Sequence, residues 1–121
     1  MNTMSQIQRT VCKVATSRCG HIAVNYGSYI IVWGGYSSDN ILEYYQPANE
    51  VWVYSTENKI WYCMKTDNSH HPLEVSGASA CCHGDNLYVF GGHGSKGNSN
   101  ELYRLDLKTY TWHLLKPDVC P

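Results

Sequence analysis

Five potential metal ligands crowd one stretch of the chain: His70, His71, Cys81, Cys82 and His83. Thiolate and imidazole are the groups that hold zinc, so this cluster is the first place to look for chemistry. Its spacing argues against a metal site. Zinc ligands come as pairs two to four residues apart with a matching second pair, whereas Cys81 and Cys82 are adjacent, and neighbouring side chains on a strand point to opposite faces. Both are read as free thiols buried as small core residues. His21, in a Gly-His pair that opens an apolar run, is read as a hydrogen-bonded structural histidine and not as a base. Nucleophilic catalysis has no Gly-x-Ser-x-Gly elbow to rest on. GGHGSKGNSN, from Gly91 to Asn100, does not place Gly-Lys-Ser/Thr in the register of a phosphate loop. No catalytic residue, metal or cofactor is expected.

The elements that would position any site must come from 121 residues with a net charge of -1 and 16% charged residues. That balance offers no basic stripe for nucleic acid or for an anionic membrane. Ten Tyr and four Trp against a single Phe point to β-structure and to surfaces rich in amphipathic aromatics. The six cysteines are Cys12, Cys19, Cys63, Cys81, Cys82 and Cys120, and the opening MNTMSQIQRT has no apolar secretory core. Reduced thiols and a cytoplasmic or nuclear location follow as expectations. No apolar run approaches the roughly 18 residues of a membrane span.

The chain repeats itself. CGHIAVNYGSYIIVWGGY (19–36) aligns with SGASACCHGDNLYVFGGH (76–93) at a separation of 57 residues, placing Gly34 and Gly35 over Gly91 and Gly92. EVWVYSTENKIW (50–61) aligns with ELYRLDLKTYTW (101–112) at a separation of 51, so Trp61 matches Trp112 and the first unit carries a six-residue insertion after its double glycine. Each unit reads as four short strands divided by turn residues. The first has 21–25, 29–34, 50–54 and 60–64; the second has 78–83, 87–92, 101–105 and 111–115. The double glycines allow the chain to turn and backbones to approach closely.

An apolar strand closing on a double glycine, a variable loop, another strand and a later Trp, at a period near 50, resembles the kelch repeat. The resemblance implies an all-β, kelch-type β-propeller, of which this chain supplies two four-stranded antiparallel blades. Blade 1 is assigned to residues 17–66 and blade 2 to 67–116. Residues 1–16 are assigned to a leader or a closing strand, and 117–121 to a linker toward a missing third blade. The segment Ile7 to Val14 would either be disordered or supply the outer strand of a last blade. Trp61 and Trp112 are expected to pack as plates between adjacent blades. Two blades cannot close a ring of about 4 to 8, so each end of the pair should leave an open face prone to self-association.

GHIAVNYGSYIIVWGGY, YYQPANEVWVY and GGHGSKGNSNELYRLDL further resemble the first two blades of a kelch-domain group that serves as substrate receptors of cullin-2 ubiquitin ligases. That resemblance implies a propeller of roughly six blades. It also implies a protein or peptide ligand taken by its C-terminal residues, and a cullin-2 contact through a region outside this chain. A scaffolding kelch protein without degron binding is the alternative. The group's main carboxylate-binding arginines have no counterpart here. The loops leaving the double glycines and those leading into each innermost strand would form the ligand face. On it, Tyr36, His93, Arg18, Ser37 and Ser76 are the candidate contacts. Tyr36 would aim a hydroxyl donor at the channel mouth, His93 holds the equivalent place, and Arg18 could pair with a carboxylate.

Overall fold

Residues 9–12, 14–66 and 70–118 are described by the computed structural model, which among them contains strands and turns and no helix. In the first unit, β-branched and aromatic runs meet Gly27 and the Glu57–Lys59 turn and fold back on themselves. They give β2 (Ile22–Tyr26), β3 (Tyr29–Trp33), β6 (Glu50–Ser55) and β7 (Ile60–Lys65). The second unit repeats them as β8 (Ser79–His83), β9 (Asn86–Phe90), β12 (Leu102–Asp106) and β13 (Thr111–Leu115). Each set is an antiparallel meander, β7-β6-β3-β2 and β13-β12-β9-β8, with the first strand of each unit innermost. These are the two four-stranded antiparallel blades expected from the repeat. The turns before β7 and β13 are equivalent as well, since Lys59 and Tyr110 both adopt positive φ, 61° and 55°.

Side-chain alternation decides which face of a blade meets its neighbour. Ile31 and Trp33 of β3, Val51 and Val53 of β6, and Met64 of β7 point toward blade 2. There they join Leu87, Val89, Leu105 and Trp112 in one core spanning both sheets. Trp33 and Trp112 meet across the seam with ring centroids 5.4 Å apart at 58°. Side chains of this size bury about 150–250 Å² each, worth roughly 4–6 kcal/mol at 25 cal/mol/Å², so this pair dominates the joint. Tyr110, whose role the repeat pattern did not single out, is buried in the same core.

The backbone stitches the seam at its loop end. Gly77 N–H donates to the Gly20 carbonyl at 2.7 Å and Gly35 N–H donates to the Val75 carbonyl at 2.9 Å. Gly35 adopts φ +100°, and a Cβ there would sit 2.7 Å from the Cys19 carbonyl oxygen. Any side chain would force the two loops apart. At the opposite end the Tyr26 hydroxyl donates to Asp85 across the blades at 2.8 Å, and Lys108 reaches the same carboxylate at 3.3 Å.

Several expectations change. Trp112 is the plate between the two blades. Trp61, its repeat equivalent, faces the corresponding side of blade 1, away from blade 2, and lies half-buried against Val32, Trp52 and Cys63. Cys82 packs toward the core as expected, whereas Cys81 is exposed on the open face of blade 2. Arg9–Cys12 forms β1, paired antiparallel with β7 as a fifth strand of blade 1. Residues 9–12 of the segment thus form an edge strand of blade 1. The otherwise unpaired N–H and C=O groups of an edge strand are the ready partner for such a segment. Residues 1–8, 13, 67–69 and 119–121 lie outside the described residues, so the start of blade 2 as assigned at 67 and the end of the 117–121 linker are among them.

Candidate functional site on the loop face

Both double-glycine loops are pinned in the same way. Cys19 and Tyr36 exchange backbone hydrogen bonds at 2.9 and 2.8 Å, and Ser76 and His93, 57 residues later, do so at 2.9 and 2.8 Å. Each loop leaving a double glycine is thus tied to the loop leading into its own innermost strand, and the two ties stand side by side.

The first loop, which carries the six-residue insertion, contains a small hairpin of β4 (Tyr36–Ser38) and β5 (Glu43–Tyr45). Asp39 organises its tip by accepting the backbone N–H groups of Ile41 and Leu42 at 2.7 and 2.6 Å. Those two bonds hold its carboxyl below the ordinary value. Ile41 and Leu42 stand out into solvent, 88% and 60% exposed. The second loop is shorter and folds into β10 (His93–Gly94) and β11 (Gly97–Asn98).

The five candidate residues fare differently. The Tyr36 hydroxyl donates to Glu43 Oε1 at 2.9 Å and its ring meets Tyr45 edge-on at 5.1 Å, so its donor is spent within the hairpin. Ser37 is a correction: it is buried, donating to the Ser17 carbonyl at 2.7 Å and accepting from Gln46 Nε2, and it holds the hairpin to the chain before blade 1. Alternation explains this, since Tyr36 and Ser38 face outward and Ser37 must face in. Arg18 is half-buried, donating from Nε to the Thr16 carbonyl at 3.1 Å and from Nη1 to the Gly34 carbonyl at 3.2 Å, while its buried Nη2 has no partner. Burial lowers its pKa, with Glu50 opposing that shift. His93 is exposed, its Nδ1 2.9 Å from Asn98 Oδ1. Ser76 is half-buried at the seam, with its Oγ only 1.9 Å from where a Cβ on Gly20 would lie.

A cleft that the repeat pattern does not reveal opens beside these residues, between the Pro72–Val75 strap and the β10–β11 hairpin. It has a volume of about 190 Å³. Trp33, Val89 and Tyr103 form its floor, and Glu74, Glu101 and Lys96 stand at its rim. The strap lies directly on the hairpin, since a Cβ on Gly94 would come within 2.3 Å of the Glu74 carbonyl oxygen. One signal in the sequence was available. Glu50 and Glu101 are repeat equivalents, yet Glu50 is ion-paired with Lys65, while Glu101 accepts the Tyr103 hydroxyl at 3.3 Å and lines the cleft. Among the described residues, no group of three or more His, Cys, Asp or Glu side chains is arranged to hold a metal ion.

Comparison with known proteins agrees with this architecture. The model of the KLHDC2/KLHL20/DRC7 Kelch-repeats domain matches residues 1–120. Kelch domain-containing protein 2 of Homo sapiens is 40% identical over 95 residues, covering 76% of this chain and 23% of that protein. Kelch domain-containing protein 1 of Mus musculus is 42% identical over 103 residues, 82% of this chain and 25% of that protein. Kelch domain-containing protein 10 of Xenopus tropicalis is 34% identical over 108 residues, 82% of this chain and 26% of that protein. The chain thus spans about a quarter of the length of the curated relatives it matches. With two equivalent blades, two equivalent double-glycine ties and a family model matched along nearly its whole length, the chain belongs to the kelch-repeat family.

Proposed function

We propose that these two blades are part of a kelch protein-interaction module, and within it of a ubiquitin-ligase substrate receptor that recognises C-terminal peptide degrons. The observation that carries the reading is the pair of equivalent backbone ties, Cys19 with Tyr36 and Ser76 with His93. They hold two variable loops on one face of a rigid scaffold, the arrangement in which binding residues are commonly presented. The similarity to kelch domain-containing proteins 2 and 1 supports the receptor role. Among the described residues, the thiols of Cys19, Cys81 and Cys82 stand outside any disulfide, which fits a reducing cytoplasmic or nuclear setting. A cullin-2 contact belongs to the same reading and would lie outside these blades.

One observation favours the alternative, a scaffolding kelch protein without a degron pocket. Tyr36 and Ser37 spend their polar groups inside the hairpin, and Arg18 spends two of its nitrogens on backbone carbonyls. Peptide binding by the full-length parent separates the two. Peptides with a free C-terminal carboxylate should bind and their C-terminal amides should lose at least tenfold in affinity. Equal binding of both forms would reject degron recognition in favour of the scaffold.

A further inference from the structure

The inter-blade cleft is lined by both blades, with Trp33 from blade 1 and Val75, Val89, Glu101 and Tyr103 from blade 2. Its floor is rigid. Trp33 is almost fully buried and its Nε1 is fixed by donating to the Ala48 carbonyl at 2.9 Å. Tyr103 packs edge-on against Trp112 at 6.2 Å with an interplanar angle of 90°. At about 190 Å³ the cleft falls short of the roughly 300–1,000 Å³ typical of sites for drug-sized ligands. It has room for one large side chain. The rim carries two carboxylates, Glu74 and Glu101, against one ammonium, Lys96. Neither glutamate has an ion-pair partner among the described residues.

An aromatic and aliphatic floor under a rim of net negative charge suits a flat cation. A guanidinium can lie against the Tyr103 ring while its N–H groups reach carboxylates in a fork, whereas an ammonium offers a compact, strongly hydrated charge. We propose that this cleft is a binding site for an arginine side chain presented by a protein partner. The site rests on the interaction-module reading only in that a partner supplies the arginine. It does not depend on recognition of a C-terminal carboxylate.

The test is a titration of the isotopically labelled 121-residue chain with N-acetyl-arginine amide, which carries no carboxylate, followed through backbone amide resonances. Saturable shifts are expected at Gly91, Gly94, Gly97 and Tyr103. N-acetyl-citrulline amide, which keeps the shape and loses the charge, should bind at least tenfold more weakly, and N-acetyl-lysine amide several-fold more weakly. Glu101→Gln and Glu74→Gln should each weaken the arginine probe by about tenfold, while the unchanged remainder of the spectrum shows that each variant is folded. Equal binding of the citrulline probe, shifts confined to residues away from the cleft, or indifference to both Glu→Gln changes would overturn the proposal. Because the probes lack a C-terminal carboxylate, failure here leaves the degron reading standing, and failure of the degron reading leaves this site standing.

Discussion

Trp33 and Phe90 occupy the same place in the two blades, 57 residues apart, yet Trp33 is 1% exposed and Phe90 is 50% exposed. The contrast runs along the whole face. Val24, Tyr26, Val53 and Tyr62 of blade 1 pack into the shared core. Their counterparts Cys81, His83, Arg104 and His113 of blade 2 lie on the side with no neighbour in this chain. Strand order and turns are kept between the blades, while the chemistry of each face is adjusted to what stands opposite. A kelch unit is conservative as a backbone and free as a surface.

Three experiments can break or sharpen that contrast. The largest effect belongs to the tryptophan at the seam. Trp33→Ala should cost about 3–5 kcal/mol through lost burial and the cavity left behind, whereas Phe90→Ala should stay within about 0.5 kcal/mol as an exposed substitution. Urea unfolding of both variants measures the difference, and equal losses would mean that the two faces are equally packed.

Next come Gly20 and Gly77, also 57 residues apart and both at positive φ, +68° and +80°. Alanine at either position meets left-handed strain of about 1–2 kcal/mol. Only Gly20 faces the seam, where a Cβ would collide with Ser76, while nothing lies within 4 Å of one on Gly77. Gly20→Ala should therefore cost about 1 kcal/mol more, read from the denaturation midpoints.

The smallest effect concerns pH at the far end of the seam. Burial, then the bond to Asp85, raises the Tyr26 hydroxyl from its ordinary 10 to about 12. Hydrogen bonds from Tyr26 and Lys108 lower Asp85 below its ordinary 3.8. The folded state holds the tyrosine proton more tightly than the unfolded chain. That contribution is complete below pH 10 and fades as pH rises through about 12. The Asp85 contribution is complete above its ordinary value and fades as pH falls through the lowered one. Tyr26→Phe should flatten both limbs of a plot of Tm against pH, and a profile parallel to that of the unchanged chain would show that the bond does not couple the blades.

The repeat made the eight blade strands and the double-glycine turns legible, because a two-residue alternation and paired glycines are local signals. What escaped reading was short or non-local. The β4–β5 hairpin has three-residue strands, too few to show a period, and so Ser37 looked like a surface residue when alternation within the hairpin turns it inward. The exposure of Cys81 depends on which neighbour its face has, and no strand pattern carries that. The cleft joins Trp33, Glu74 and Tyr103, which come together only once the blades dock.

The stitches at the seam give it a direction. Blade 2 donates through Gly77 N–H to the Gly20 carbonyl, and blade 1 donates back through Gly35 N–H to the Val75 carbonyl. On the far edge of blade 2, the Gly77 carbonyl and the Gly92 N–H are the repeat equivalents of the Gly20 carbonyl and Gly35 N–H, and neither has a partner among the described residues. The joint is therefore polar in the sense of a plug and socket. Each blade, once folded, already displays the socket that a following blade would need, so a kelch chain can be lengthened by duplication in one orientation without redesigning the joint.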